Sequence, residues 1–238
     1  MGRLSGPNGV NGDGHERRRH FSYLNLPVND LIDAFAAGGA VPGSGTGVAV
    51  VGAISGAFIS TVASLTLAKK IDRYIPFHPR AAFILKKSGE LVRSLKAAAD
   101  EDSALFQKVI ESRIARDRTS NPKEREVLHQ LGLAYQKKAT DLPLQMAEDC
   151  LVLSGFGLEL YEKGFQAVRG DSAVATSCAR AAAQGALTIV NLNLKPFTNI
   201  PWAKSCRKIA SNLFIKSQLL EMQFGKHLRD SLAPEVCE

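Results

Sequence analysis

The chain has 238 residues, 45% of them hydrophobic, with a formal net charge of +7. That length buries a sizeable core in one large domain or two small ones. The basic balance suits an anionic partner, but one Trp and four Tyr form no aromatic-basic ladder, so nucleic-acid binding is not expected. The four cysteines, at 150, 178, 206 and 237, contain no CxxC pair. They read as reduced thiols of a cytoplasmic protein, with neither a zinc site nor a redox motif.

Residues 1–22, with "HERRRHF" and several glycines, lack the apolar stretch of a secretion signal and read as a flexible basic tail. Residues 28–37 form a short helix, with Asn29 as the cap and Gly38-Gly39 as the stop. A helix over residues 47–70 follows. Its run from Val48 to Leu67 carries no charge, which is long enough to span a bilayer. Gly, Ser and Thr are abundant in it, however, and Gly52, Gly56 and Ser60 recur every four residues. Such smooth faces let neighbouring backbones approach, so the expectation is a buried central helix and no membrane. The preceding turn, Gly43, Ser44, Gly45 and Thr46, has no Lys and so is not a phosphate loop of the GxxxxGK[ST] type. Its place before a long helix gives free N–H groups that favour negative charge.

After "YIPFHPR", residues 80–116 form a long helix on which Ile84, Ser88, Leu91, Leu95, Ala98, Asp102, Leu105 and Val109 share one stripe. Asp102 therefore faces the core, while Asp100 and Glu101 turn away toward solvent. A carboxylate on an apolar stripe is costly unless paired or set in a polar cavity, so Asp102 is either half of a buried ion pair or a site residue. The next helix starts with Asn121 as cap and Pro122 in first position. Its pattern runs through Leu128, Leu131, Tyr135, Leu142, Met146, Cys150, Leu153 and Leu160, with a kink expected at Pro143. "RGDSAV" opens a helix to about residue 194. There Asp171 is either a helix cap or a second site carboxylate. A last helix covers about residues 202–228, followed by a C-terminal tail over 231–238. No hairpin or alternating pattern intervenes. The fold is expected to be all-α, one domain over residues 23–230 with about six helices. No HExxH, no Ser/His/Asp arrangement and no metal cluster is present, which leaves carboxylates and backbone dipoles to carry any chemistry.

Five segments in order, "PGSGTGVAVVGAISGAFISTVASLT", "ADEDSALF", "ATDLPLQMAE", "GDSAVATSCARAAAQGA" and "NLNL", resemble the formiminotransferase-cyclodeaminase and methenyltetrahydrofolate cyclohydrolase family. The resemblance covers residues 29–222. It implies an all-helical homodimer acting on a one-carbon unit carried by tetrahydrofolate, with no cofactor beyond that carrier. A cyclodeaminase closes the N5-formimino group onto N10 with loss of ammonia, and a cyclohydrolase opens the methenyl bridge with water. Both move a proton at nitrogen or water. Asp102 matches the acidic motif and takes that role. Asp171 would hydrogen-bond the pterin or steady the cationic carbon, Asn193 is a polar contact, and Gly43, Ser44, Gly45 and Thr46 line the cleft. Lys69 or Lys70 would meet the glutamate tail. Against the family pattern, Ser44 stands for the middle glycine of a triplet, Thr46 for Ser, Gly170 for Ser and Ile189 for Asn. The segment Ala115-Arg116-Asp117 stands for Leu-Pro-Lys. These departures keep open a related enzyme acting on a non-folate imine or amine, and a non-catalytic helical binding protein.

Overall fold

The computed structural model describes residues 22–232, with side chains to 230. The expected N-terminal tail lies outside this range except for Ser22, as do residues 233–238. Among the described residues there are six α-helices, a few short 3-10 turns and no strand.

Helix α1, Val28–Ala36, follows Pro27, which occupies the cap position in place of the expected Asn29. It is closed by Gly38, whose φ of +71° suits a residue without a side chain. Helix α2, Ser44–Leu67, begins three residues before the expected start, with Gly43 as a cap that has no side chain to offer. Helix α3, His78–Arg118, carries Pro79 in its first turn. Helix α4, Pro122–Lys163, starts as the sequence predicts, the Asn121 side chain accepting hydrogen bonds from the amides of Lys123 and Glu124. Helix α5, Arg169–Asn193, has Val168 at its cap position, so Asp171 stands inside the first turn and is not the cap. Helix α6 spans Pro201–Leu232, two residues into the expected tail.

Helices α2, α3, α4 and α5 share the main core, built on Ile59, Val62, Ile84, Leu95, Met146, Leu151 and Leu153 with alanines of α5 filling between them. A smaller cluster holds α6 through Ala203 and Cys206 against Val190, Leu194 and Phe197. Seven of the eight stripe positions on α3 are buried as expected, Asp102 being half-buried. The small residues of α2 have the predicted use. A Cβ on Gly52 would lie 2.7 Å from the Cys150 sulfur, and one on Gly56 2.6 Å from a Val92 methyl, so only glycine allows this approach.

Three expectations are corrected. Only one face of α2 is buried: Val51, Ile54, Phe58 and Leu65, spaced by three, four and seven residues, are exposed on the other. Asp100 is half-buried, one carboxylate oxygen being enclosed without a hydrogen-bond partner. Helix α3 packs on both α2 and α4 and so buries more than one stripe; the neighbouring Ala99 is fully covered. The N-terminal half of α4 buries less than its pattern implies, Leu131 being 40% exposed. Pro143 lies inside the continuous α4 helix.

Candidate active site

The start of α2 leaves N–H groups without intrahelical partners, and Gly43 cannot cap them. Asp102, from α3, supplies the missing acceptor. Its carboxylate takes a hydrogen bond from the backbone amide of Thr46 and lies 3.2 Å from the Thr46 hydroxyl. That hydroxyl is also 2.9 Å from the Ser103 hydroxyl and 3.3 Å from the Ala99 carbonyl. With one proton to donate, Thr46 gives it to Asp102 or to Ala99 and accepts from Ser103. Thr46 is fully buried, which fixes this network from behind.

Gly45 is the floor under the carboxylate. A Cβ there would collide with Asp102, and even the farther oxygen would be only 2.7 Å away. Gly43 is less constrained: a Cβ on it would lie 3.5 Å from the Ala40 carbonyl, an ordinary contact. Ser44 is exposed at the rim. Of the expected glycine triplet, then, only Gly45 is without room for a side chain, and the substituted middle position is exposed.

Burial pushes the Asp102 carboxyl above its usual value of 3.8, against the two hydrogen bonds from Thr46 that pull it down. The result is a carboxylate that holds a proton more readily than one in water while keeping a face to the cleft.

The cleft encloses 490 Å³. Gly43, Ser44, Gly45 and Asp102 form one wall; Phe106, Val109 and Arg113 continue it along α3. The rest of the lining includes Gln136 and Ala139 of α4 and Ile189, Leu192 and Asn193 at the end of α5. Arg113 donates a 2.8 Å hydrogen bond to Gln136. Arg113, Gln136 and the nearby Pro196 also border an adjoining pocket of 350 Å³ that holds Arg116 and His129 and no carboxylate.

Asp102, Gly43, Ser44, Gly45 and Asn193 thus meet at one cleft, with Thr46 behind it. Asp171, Lys69 and Lys70 do not line it. Asp171 stands about 33 Å along α5 from Asn193 by the 1.5 Å rise per residue, and Lys69 is similarly remote from Gly45 along the α2 direction. The Lys69 ammonium instead sits 3.9 Å from the centre of the Phe165 ring. Within one protomer Asp102 and Asp171 do not converge. Sequence reading missed Arg113 and Gln136. Both lie outside the quoted motifs, although Arg113 is eleven residues beyond Asp102, three helical turns along the same face.

Cys150 contributes no nucleophile: burial pushes its thiol up to about 12. Among the described residues no three His, Cys, Asp or Glu side chains come together.

The molecule is a helical-bundle protein whose apolar cleft holds a partly buried carboxylate at a helix N-terminus. A model of the formiminotransferase-cyclodeaminase family matches residues 27–212, and the chain belongs to that family. Methenyltetrahydrofolate cyclohydrolase of Methylorubrum extorquens is 28% identical to it over 197 residues, which cover 82% of this chain and 92% of that protein. The crystal structure of formiminotetrahydrofolate cyclodeaminase from Thermotoga maritima shares the fold with a TM-score of 0.75. It is 22% identical in sequence, with 88% of this chain and 98% of that one covered.

Proposed function

We propose that the chain is a folate one-carbon enzyme that hydrolyses the methenyl bridge of 5,10-methenyltetrahydrofolate, with Asp102 as general base and then general acid. The observation that carries this reading is the Asp102 carboxylate, seated against Gly45 at the α2 N-terminus in the cleft of a cyclodeaminase-family fold. The cyclohydrolase relative, matched over most of both chains, favours hydrolysis over cyclodeamination.

In this mechanism the cationic N5–CH–N10 carbon stands in front of Asp102, whose negative charge stabilises it. Asp102 takes a proton from water as the oxygen bonds to that carbon. The tetrahedral adduct then collapses: the C–N5 bond breaks, Asp102 returns its proton to N5, and the hydroxyl proton leaves as the formyl C=O forms on N10. One water is consumed and one proton released. A carboxyl raised above the ordinary range is suited to both steps, because its pKa lies closer to working pH. Phe106, Val109, Ile189 and Leu192 offer apolar walls for an aromatic ring.

The glutamate tail is assigned to the adjoining pocket, where Arg113, Arg116 and His129 replace the lysines expected from sequence. Tetrahydrofolate is the carrier and no further cofactor enters the reaction. The exposed apolar line on α2 supports a homodimer, since a second copy would cover it by the same surface. A soluble, cytoplasmic protein is the setting, in keeping with the free thiols of Cys150, Cys178 and Cys206.

The test is the ultraviolet absorbance of 5,10-methenyltetrahydrofolate with and without protein. Acceleration by the wild type and none by Asp102→Asn is expected. Absence of binding to any folate in calorimetry overturns the reading, and ammonia release from 5-formiminotetrahydrofolate without methenyl hydrolysis replaces it with cyclodeamination.

A further inference from the structure

A proline inside a helix has no N–H to give the carbonyl four residues earlier. Pro143 of α4 therefore deprives the Ala139 carbonyl of its helical partner. That carbonyl is not left idle: it accepts a 2.8 Å hydrogen bond from Nδ2 of Asn193, the last residue of α5. Ala139 and Asn193 both line the cleft that Asp102 borders.

We propose that Pro143 is a positioning residue for the cleft: it frees the Ala139 carbonyl to hold the Asn193 carboxamide in one orientation, presenting Oδ1 as a fixed acceptor to an N–H donor of the substrate. A carbonyl accepts only from the NH2 side of the carboxamide, so this contact decides which end turns to the cleft. Without it the side chain has two nearly equivalent flips, one showing a donor and one an acceptor. Helix α4 gives up one internal hydrogen bond for that choice, at a position where Pro143 is buried and makes no direct cleft contact. Resting on the folate reading, the donor is an N–H of the pterin ring.

The decisive variant is Pro143→Ala, which restores the amide and returns Ala139 to the helical ladder. Its dissociation constant for 5,10-methenyltetrahydrofolate is expected to rise by about tenfold, the loss of roughly one hydrogen bond, with melting at or above that of the wild type. In an Asn193→Ala background the same change is expected to have no further effect. Asn193→Asp, which keeps the shape but lacks the donor, should weaken binding as Pro143→Ala does. A Pro143→Ala protein that binds like the wild type overturns the proposal, as does an equal loss in the Asn193→Ala background. The side-chain amide protons of Asn193, followed by NMR in the absence of any folate, provide a readout separate from substrate identity. The proton donated to Ala139 should be shifted and slow to exchange with solvent in the wild type, and should lose both the shift and the protection in Pro143→Ala. If the wild type binds no folate, the proposed reaction fails and this measurement still decides the positioning role.

Discussion

The Asp102 carboxylate occupies the space in which a side chain on Gly45 would begin. The two residues are 57 positions apart on different helices, and a side chain at Gly45 cannot be added without moving the carboxylate. Gly45→Ala is expected to displace Asp102, lowering stability by about 1–3 kcal/mol, the usual range for overpacking, and abolishing acceleration of methenyl hydrolysis. Ser44→Gly, one residue earlier but exposed at the rim, should change turnover little. Parallel melting curves and absorbance assays of the two variants separate these outcomes.

Asp102→Asn tests whether the carboxylate serves the reaction at the expense of the fold. The folded protein holds the Asp102 proton more tightly than the unfolded chain, because burial raises the carboxyl above its usual 3.8. Stability from this group is therefore full below that usual value and declines as pH rises toward the folded pKa. Above that interval the wild type carries the cost of a buried charge that Asn lacks. The variant should be inactive, yet should melt no lower than the wild type at neutral pH. The difference in melting temperature should shrink or reverse on acidification. A neutral-pH Asn variant that unfolds would mark Asp102 as a structural cap.

Thr46 opposes the effect of burial on Asp102 through its hydroxyl and its amide. Thr46→Val removes the hydroxyl and keeps the amide and nearly the same volume, so the Asp102 pKa should move further up. Since the proposed first proton transfer needs the ionised form, the acid limb of the kcat/KM profile should shift to higher pH. A profile that falls in height without moving sideways would show that the hydroxyl has another role.

The helices were legible because their signals are local. Asn121-Pro122 marks the start of α4 to the residue, and the four-three spacing of α3 places Asp102 at the boundary between core and cleft. What the sequence could not convey is how far apart two matching motifs fall. Asp171 and Asn193 share one helix, and a 25-residue α-helix has to separate residues near its two ends by almost its whole length. Arg113 and Gln136 were missed for a related reason. An arginine on a solvated stretch of helix reads as surface until α4 brings Gln136 within 2.8 Å of it. The exposed face of α2 was hidden by composition, since a helix apolar all round reads as buried all round.

The adjoining pocket makes a prediction about chain length in the substrate. Arg113 borders both cavities and is held by Gln136, while Arg116 is already paired with Asp117. With the tail in its proposed place, Arg113 would therefore be its principal cation. Arg113→Gln should raise KM severalfold for a tail with several glutamates, less for monoglutamate, and leave kcat within about twofold, as expected for binding shared by ground and transition states. Salt should weaken the polyglutamate preference of the wild type and have less effect on the variant.

The proposed homodimer would rest on the outward face of α2. Val51, Ile54, Phe58 and Leu65 are 38%, 50%, 37% and 37% exposed, a continuous apolar line that a monomer would leave in water. A two-fold related copy would bury the same line from both sides, and the isologous contact doubles the effect of any change within it. Ile54→Lys places two ammonium groups near the symmetry axis, where desolvation and like charge both oppose association. The variant should elute as a monomer in size-exclusion chromatography at concentrations where the wild type is a dimer. Its helical circular dichroism should be retained, because the core face of α2, with Ile59 and Val62 fully covered, is untouched. A dimer that survives Ile54→Lys would place the contact elsewhere, with the exposed apolar side of α6, around Phe214, Ile215, Leu219 and Met222, as the next face to disrupt.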